Sequence, residues 1–168
     1  MSFTDIAIIK AILRGVRNEL SVSNVSRETF HMKQVEKQGR KNEIGAYGET
    51  IAARYLEKHG FIILEKNYLK KWGELDIVAR GTDSIRFVEV KTVSYETKQD
   101  LLAAISRGTW RPEENVHYTK IARMNRAIES WISEHNYNGE WEIDVIAVRI
   151  VPREKYATAK YIQGVVIG

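Results

Sequence analysis

No cysteine occurs in the 168 residues. Disulfide frameworks, thiolate metal sites and cysteine nucleophiles are therefore excluded, and a reducing cytoplasm is the compartment that fits. Long apolar runs are also lacking. Ile6 to Leu13 is interrupted by Lys10 and is too short to span a bilayer. Asp5 precedes that run and no small-residue cleavage site follows it, so a signal peptide fits poorly. A cytoplasmic protein with no membrane partner is expected. Neither a phosphate-cradling glycine loop nor a dinucleotide fingerprint is present, and there is no serine-hydrolase elbow. The four histidines, His31, His59, His117 and His135, show no metal-ligand spacing. The charge excess is small: 26 Lys and Arg against 22 Asp and Glu, a net +4. That balance favours polyanionic partners mildly.

What is present reads as an α/β chain. In residues 1–40, Phe3, Ile6, Ile9, Leu13 and Val16 recur at helical spacing. This predicts an N-terminal helical extension, with Leu20 to Thr29 as a linker and His31 to Arg40 as a solvated helix or a loose polar arm. The main domain is expected over 41–168. Ile44, Tyr47, Ile51, Tyr55 and Leu56 form a helical stripe that Gly60 terminates. Strands follow over 61–68, 74–80 and 85–92. Gly81-Thr82-Asp83-Ser84 reads as a hairpin loop between the last two. Residues 93–116 form a loop-rich excursion with a short helix over 98–106. Thr119 suggests the cap of a second strong helix carrying Ile121, Met124, Ile128, Trp131 and Ile132. Strands are expected over 141–150 and 161–167. This order implies layers built on a mixed sheet.

Within that frame one constellation carries chemistry. Side chains two apart on a strand point the same way. Glu89 and Lys91 thus share a face with Ile85 and Phe87, one strand away from Asp76. Charged groups ending an apolar face are costly without a partner. A Mg²⁺ or Mn²⁺ ion, with Asp76, Glu89 and the Val90 carbonyl as ligands, would supply one. Lys91 would then stabilise charge developing on a phosphodiester. Glu74 lies on the Asp76 face, and Glu49 follows Gly48 on the first helix, where it can reach the sheet. The same residues also suit a solvated sheet face with cross-strand ion pairs, such as Asp76 with Lys91. Cations and aromatics cluster in the loops and on the second helix. Lys70, Lys71, Trp72, Arg107, Arg111, Lys120 and Arg123 are the candidate nucleic-acid contacts. Asp144 reads as the acceptor of a structural hydrogen bond.

The motifs Gly45-Ala46-Tyr47-Gly48-Glu49, Gly60-Phe61, Asn67, Gly73-Glu74-Leu75-Asp76-Ile77-Val78 and Phe87-Val88-Glu89-Val90-Lys91 occur in order. Lys120, Arg123, Ala127 and Asp144-Val145-Ile146 follow. Over residues 42–150 this pattern resembles the YraN-like family, which is similar to archaeal Holliday-junction resolvases and belongs to the PD-(D/E)xK nuclease superfamily. The resemblance implies a restriction-endonuclease-like core, a mixed central sheet flanked by helices. It also implies Glu49, Asp76, Glu89 and Lys91 as the active-site set. The loop after Val93 is longer than is usual for that family. A metal-dependent endonuclease acting on DNA, branched or irregular, is the expected activity. The alternative is a nucleic-acid-binding module that uses the same fold without turnover. Two cuts at a junction would suit a homodimer.

Overall fold

The computed structural model describes residues 19–22, 37–107 and 118–165. Among them, helix α1 (Lys37–Lys58) leads into three antiparallel strands, β2 (Ile62–Lys70), β3 (Gly73–Arg80) and β4 (Ile85–Ser94). Helices α2 (Lys98–Arg107) and α3 (Tyr118–Glu134) then carry the chain to β5 (Trp141–Val151), which lies parallel to β4. A turn of 3₁₀-helix at Pro152–Glu154 reverses the chain into β6 (Tyr156–Ile162). A short strand, β1 (Glu19–Val22), pairs with β6. The sheet order is β1-β6-β5-β4-β3-β2, a mixed sheet with helices on both faces. This is the expected α/β architecture with a restriction-endonuclease-like core.

Period-two side-chain placement sorts the strands into two cores. Ile77, Val88, Ile146, Val148 and Tyr161 pack beneath Ile51, Ala52, Tyr55 and Leu56 of α1. Val78, Ile85, Phe87, Ile143 and Val145 meet Met124, Ala127, Ile128 and Trp131 of α3. Covered on both faces, β5 is buried at every residue from Ile143 to Val151, as an interior strand beside a parallel neighbour should be. Helix α1 stops where predicted. Gly60 takes a left-handed φ of 84°, and the Phe61 N–H returns to the Leu56 carbonyl at 3.0 Å. The start of α2 is held by Thr97 and Asp100: the Asp100 N–H donates to Thr97 Oγ1 at 3.1 Å, and the Thr97 N–H donates to Asp100 Oδ2 at 3.2 Å.

Gly48 seats α1 on β4. A Cβ there would lie 1.8 Å from Thr92 Oγ1 and 2.7 Å from Thr92 Cβ. Gly48→Ala is expected to cost about 2 kcal/mol by overpacking, read as a lower urea midpoint at unchanged m-value.

Three sequence expectations need correction. The stretch read as a linker contains β1, whose four residues gain backbone partners along the edge of β6. The first strong helix begins at Lys37 rather than near Asn42, so the end of the basic stretch takes the helical one of its two readings. The last strand sits five residues earlier than expected, because the turn at Pro152 and the left-handed Lys155 (φ 49°) redirect the chain at once into β6. Helix α3 begins one residue ahead of Thr119. The predicted helix over residues 3–16 lies outside the described residues. Among the described residues, no helix is long and apolar enough to cross a membrane.

Candidate active site

Strand β3 parts from β4 at Asp76. Its ladder with β4 runs from Arg80↔Ile85 to Ile77↔Val88 and ends there. On the other side, the ladder with β2 passes over Asn67, which holds a left-handed φ of 55°, and Asp76. An opened ladder leaves backbone groups to be satisfied. The Val90 N–H donates to Asp76 Oδ2 at 2.7 Å, so the carboxylate stands in for the missing strand partner. In a strand the N–H and C=O of one residue point to the same side. The Val90 carbonyl therefore faces the same opening.

Glu89 lies beside Asp76 and is 2% exposed. Its Oε1 takes Lys91 Nζ at 2.7 Å, the face-sharing pair predicted from spacing. The alternative ion pair of Asp76 with Lys91 is not the one formed. Lys120, in the first turn of α3, reaches the same spot: its Nζ is 2.8 Å from Glu74 Oε1 and 3.5 Å from Glu89 Oε2. Glu89 Oε2 is buried and has no hydrogen-bond partner. Burial and then the charge of Glu89 push the Asp76 carboxyl up to about 7, against the opposing Val90 N–H. For Lys120, burial lowers the pKa, but Glu89 and Glu74 outweigh it and raise it. The hydrogen bond from Lys120 holds the Glu74 carboxyl below its usual range.

Glu49 approaches from the α1 side of the sheet. It lines a cleft of about 350 Å³ with Ile44, Gly45, Val90, Thr92, Val93 and Ser94. Its charge adds to that of Glu89 in raising the Asp76 carboxyl. Among the described residues, no group of three or more His, Cys, Asp or Glu gathers in metal-binding geometry. The site offers two close carboxylates and a backbone carbonyl.

The basic and aromatic candidates divide. Lys70 is paired with Glu134 at 2.6 Å, and Lys71 lies 5.3 Å over the Trp72 ring. Trp72 is pinned to α3, its Nε1 donating to the Arg126 carbonyl at 3.2 Å and to Ser130 Oγ at 3.1 Å. It clamps the β2–β3 turn, and its ring remains partly exposed. Arg123 is exposed on α3, and Arg107 is exposed at the end of α2 with its Nε donating to the Ala103 carbonyl. Arg111 lies outside the described residues. Lys120 belongs among the acids, not on the surface with the other cations. Sequence reasoning missed that placement, because the docking of α3 on β3 leaves no local signal. Asp144 is fully buried and accepts from Tyr161 OH at 2.5 Å and the Gly164 N–H at 2.8 Å, the structural role expected of it.

A mixed sheet whose third and fourth strands present an acid and an acid-x-lysine at a shared opening defines an α/β protein of nuclease-like fold. Residues 48–148 match the model of the Uncharacterised protein family UPF0102. The chain belongs to this family, the YraN-like group. Similar members include a UPF0102 protein of Beutenbergia cavernae, 39% identical over 126 residues, 74% of this chain and 97% of that protein. One from Nocardia farcinica is 36% identical over 68% of this chain and 82% of its own length. Another, from Campylobacter fetus, is 36% identical over 62% and 81%. The matched segment contains Glu49, Asp76, Glu89, Lys91 and Lys120.

Proposed function

We propose that the protein is a divalent-metal-dependent nuclease that hydrolyses phosphodiester bonds, with branched or irregular DNA as its expected substrate. The observation that carries this reading is the buried pairing of Asp76 and Glu89 at the opening of β3, with Lys91 held on Glu89. Two crowded carboxylates, one with an oxygen that accepts no hydrogen bond, suit a hard cation. Mg²⁺ commonly uses one or two carboxylates and completes its shell with water and substrate phosphate. Asp76, Glu89 and the Val90 carbonyl would hold it. When bound, such an ion lowers the pKa of water and neutralises charge on the phosphoryl oxygens.

The protein's own groups do the rest. Val90 orients Asp76 through its N–H, and Lys91 fixes the Glu89 carboxylate while presenting a compact cation to a phosphate at the opening. Exposed Arg123 and Arg126 on α3, with Lys71 on the turn clamped to that helix, give further cations for the polynucleotide backbone. The second reading, a binding module without turnover, is favoured by Lys91 and Lys120 already neutralising the acids.

The deciding measurement is cleavage of labelled linear, flapped and four-way DNA with Mg²⁺ or Mn²⁺. The parent should cut at least one substrate. Glu89→Gln and Lys91→Ala should each lower the rate by about a hundredfold or more. Equal cutting by parent and both variants would point to another site. Salt-sensitive binding with no cutting under either ion would establish the binding module.

A further inference from the structure

Lys120 is unusual among the charged residues of the site because its ion pairs do not settle it. Glu74, its closer partner, has a side chain 55% exposed, and exposed pairs of this kind contribute little. Glu89, its buried partner, is 3.5 Å away. At that distance Glu89 Oε2 is left without a hydrogen bond. A lysine placed for structure alone would close on the buried oxygen, since an unsatisfied buried acceptor is costly. Instead the ammonium stands between a half-exposed acid and the unbonded Oε2 of a buried one. Its side chain is 26% exposed, and its four-carbon stem leaves a route outward. Lys91 keeps Glu89 Oε1 neutralised whether or not Lys120 stays.

We propose that Lys120 is a displaceable counter-cation. It occupies the charge deficit of the acidic pair in the metal-free protein, and yields that place on metal loading, turning outward to a backbone phosphate of the bound polynucleotide. The proposal rests on the nuclease reading and deepens it. Metal loading and substrate capture become linked through one side chain: the lysine opposes the ion until a phosphate offers it another partner. Linkage of this kind is reciprocal, so nucleic acid should also tighten metal binding.

The test uses the full chain and measures binding alone. Mn²⁺ affinity is read by electron paramagnetic resonance without nucleic acid. Affinity for four-way DNA is read by fluorescence anisotropy in Ca²⁺, under conditions without cleavage. Lys120→Gln should tighten Mn²⁺ binding about tenfold and weaken DNA binding. Lys120→Arg, which keeps the charge, should stay near the parent in both. A merely structural lysine would move both affinities of Lys120→Gln the same way. Unchanged or weakened Mn²⁺ binding in Lys120→Gln would overturn the proposal and leave the nuclease reading standing. A parent that binds no Mn²⁺ would overturn both.

Discussion

Asp76→Asn is expected to abolish metal-dependent cleavage and, at pH 8, to make the metal-free protein more stable than the parent. The two effects share one cause. Asp76 is 9% exposed and crowded by Glu89, so its charged form is held at a cost. Its carboxyl is pushed from the ordinary 3.8 to about 7. The folded state therefore binds a proton that the unfolded state has released. This contribution to stability is fully present below pH 3.8, falls as pH rises through 7, and is absent at pH 8. The amount at stake is on the order of 4 kcal/mol. Asparagine keeps an oxygen to accept the Val90 N–H while removing the charge. Its stability should lose this part of the pH dependence and keep only what other groups, such as the buried Asp144 with its raised pKa, contribute. Urea denaturation of both proteins between pH 4.5 and 8, with metal chelated, measures the difference. Parallel curves would mean that the Asp76 charge is carried cheaply, and the electrostatic case for an ion at this position would fail with it.

Gly73→Ala should separate the two halves of the site. A Cβ at Gly73 would lie 2.3 Å from the Arg123 carbonyl oxygen and 2.8 Å from its carbon. Those are backbone atoms of α3 and cannot turn aside, so the helix or the start of β3 must retreat. The expected cost is about 3 kcal/mol. Because Lys120 is one turn before Arg123 and Glu74 follows Gly73, the Lys120–Glu74 contact at 2.8 Å should also be lost. Trp72, clamped to α3 from the same turn, provides the readout. A shift in tryptophan emission should accompany a lower urea midpoint. A variant with the parent's midpoint and emission would show that α3 sits more loosely on the sheet than this packing implies.

The meander of β2, β3 and β4 was legible because its apolar positions alternate and its turns carry glycine. The pairing of Glu89 with Lys91 was legible for the same reason: period two needs only one strand. β1 escaped notice because Glu19-Leu20-Ser21-Val22 is four residues in a polar stretch, with no periodicity to read. β6 was misplaced because Ala157 and Ala159, buried on its inner face, are weak strand formers. Lys120 was visible as a cation but not as a neighbour of acids, since its position depends on how α3 crosses β3. Asn67 sat in a recognised motif without a role. Its left-handed backbone beside Asp76 is a conformation that asparagine tolerates better than most residues.

The same Asn67, with the register shift between Ile63 and Glu65, bears on how the molecule behaves in company. Among the described residues β2 is the outermost strand on its side of the sheet, and it exposes Ile62 and Leu69. A straight, apolar outer strand invites a foreign strand to add on, the first step toward aggregation. A register shift and a left-handed residue within nine residues interrupt the regular run of backbone groups along that rim, so an incoming chain would find few consecutive partners. Restoring regular pairing there by removing either irregularity would trade solubility for a longer ladder.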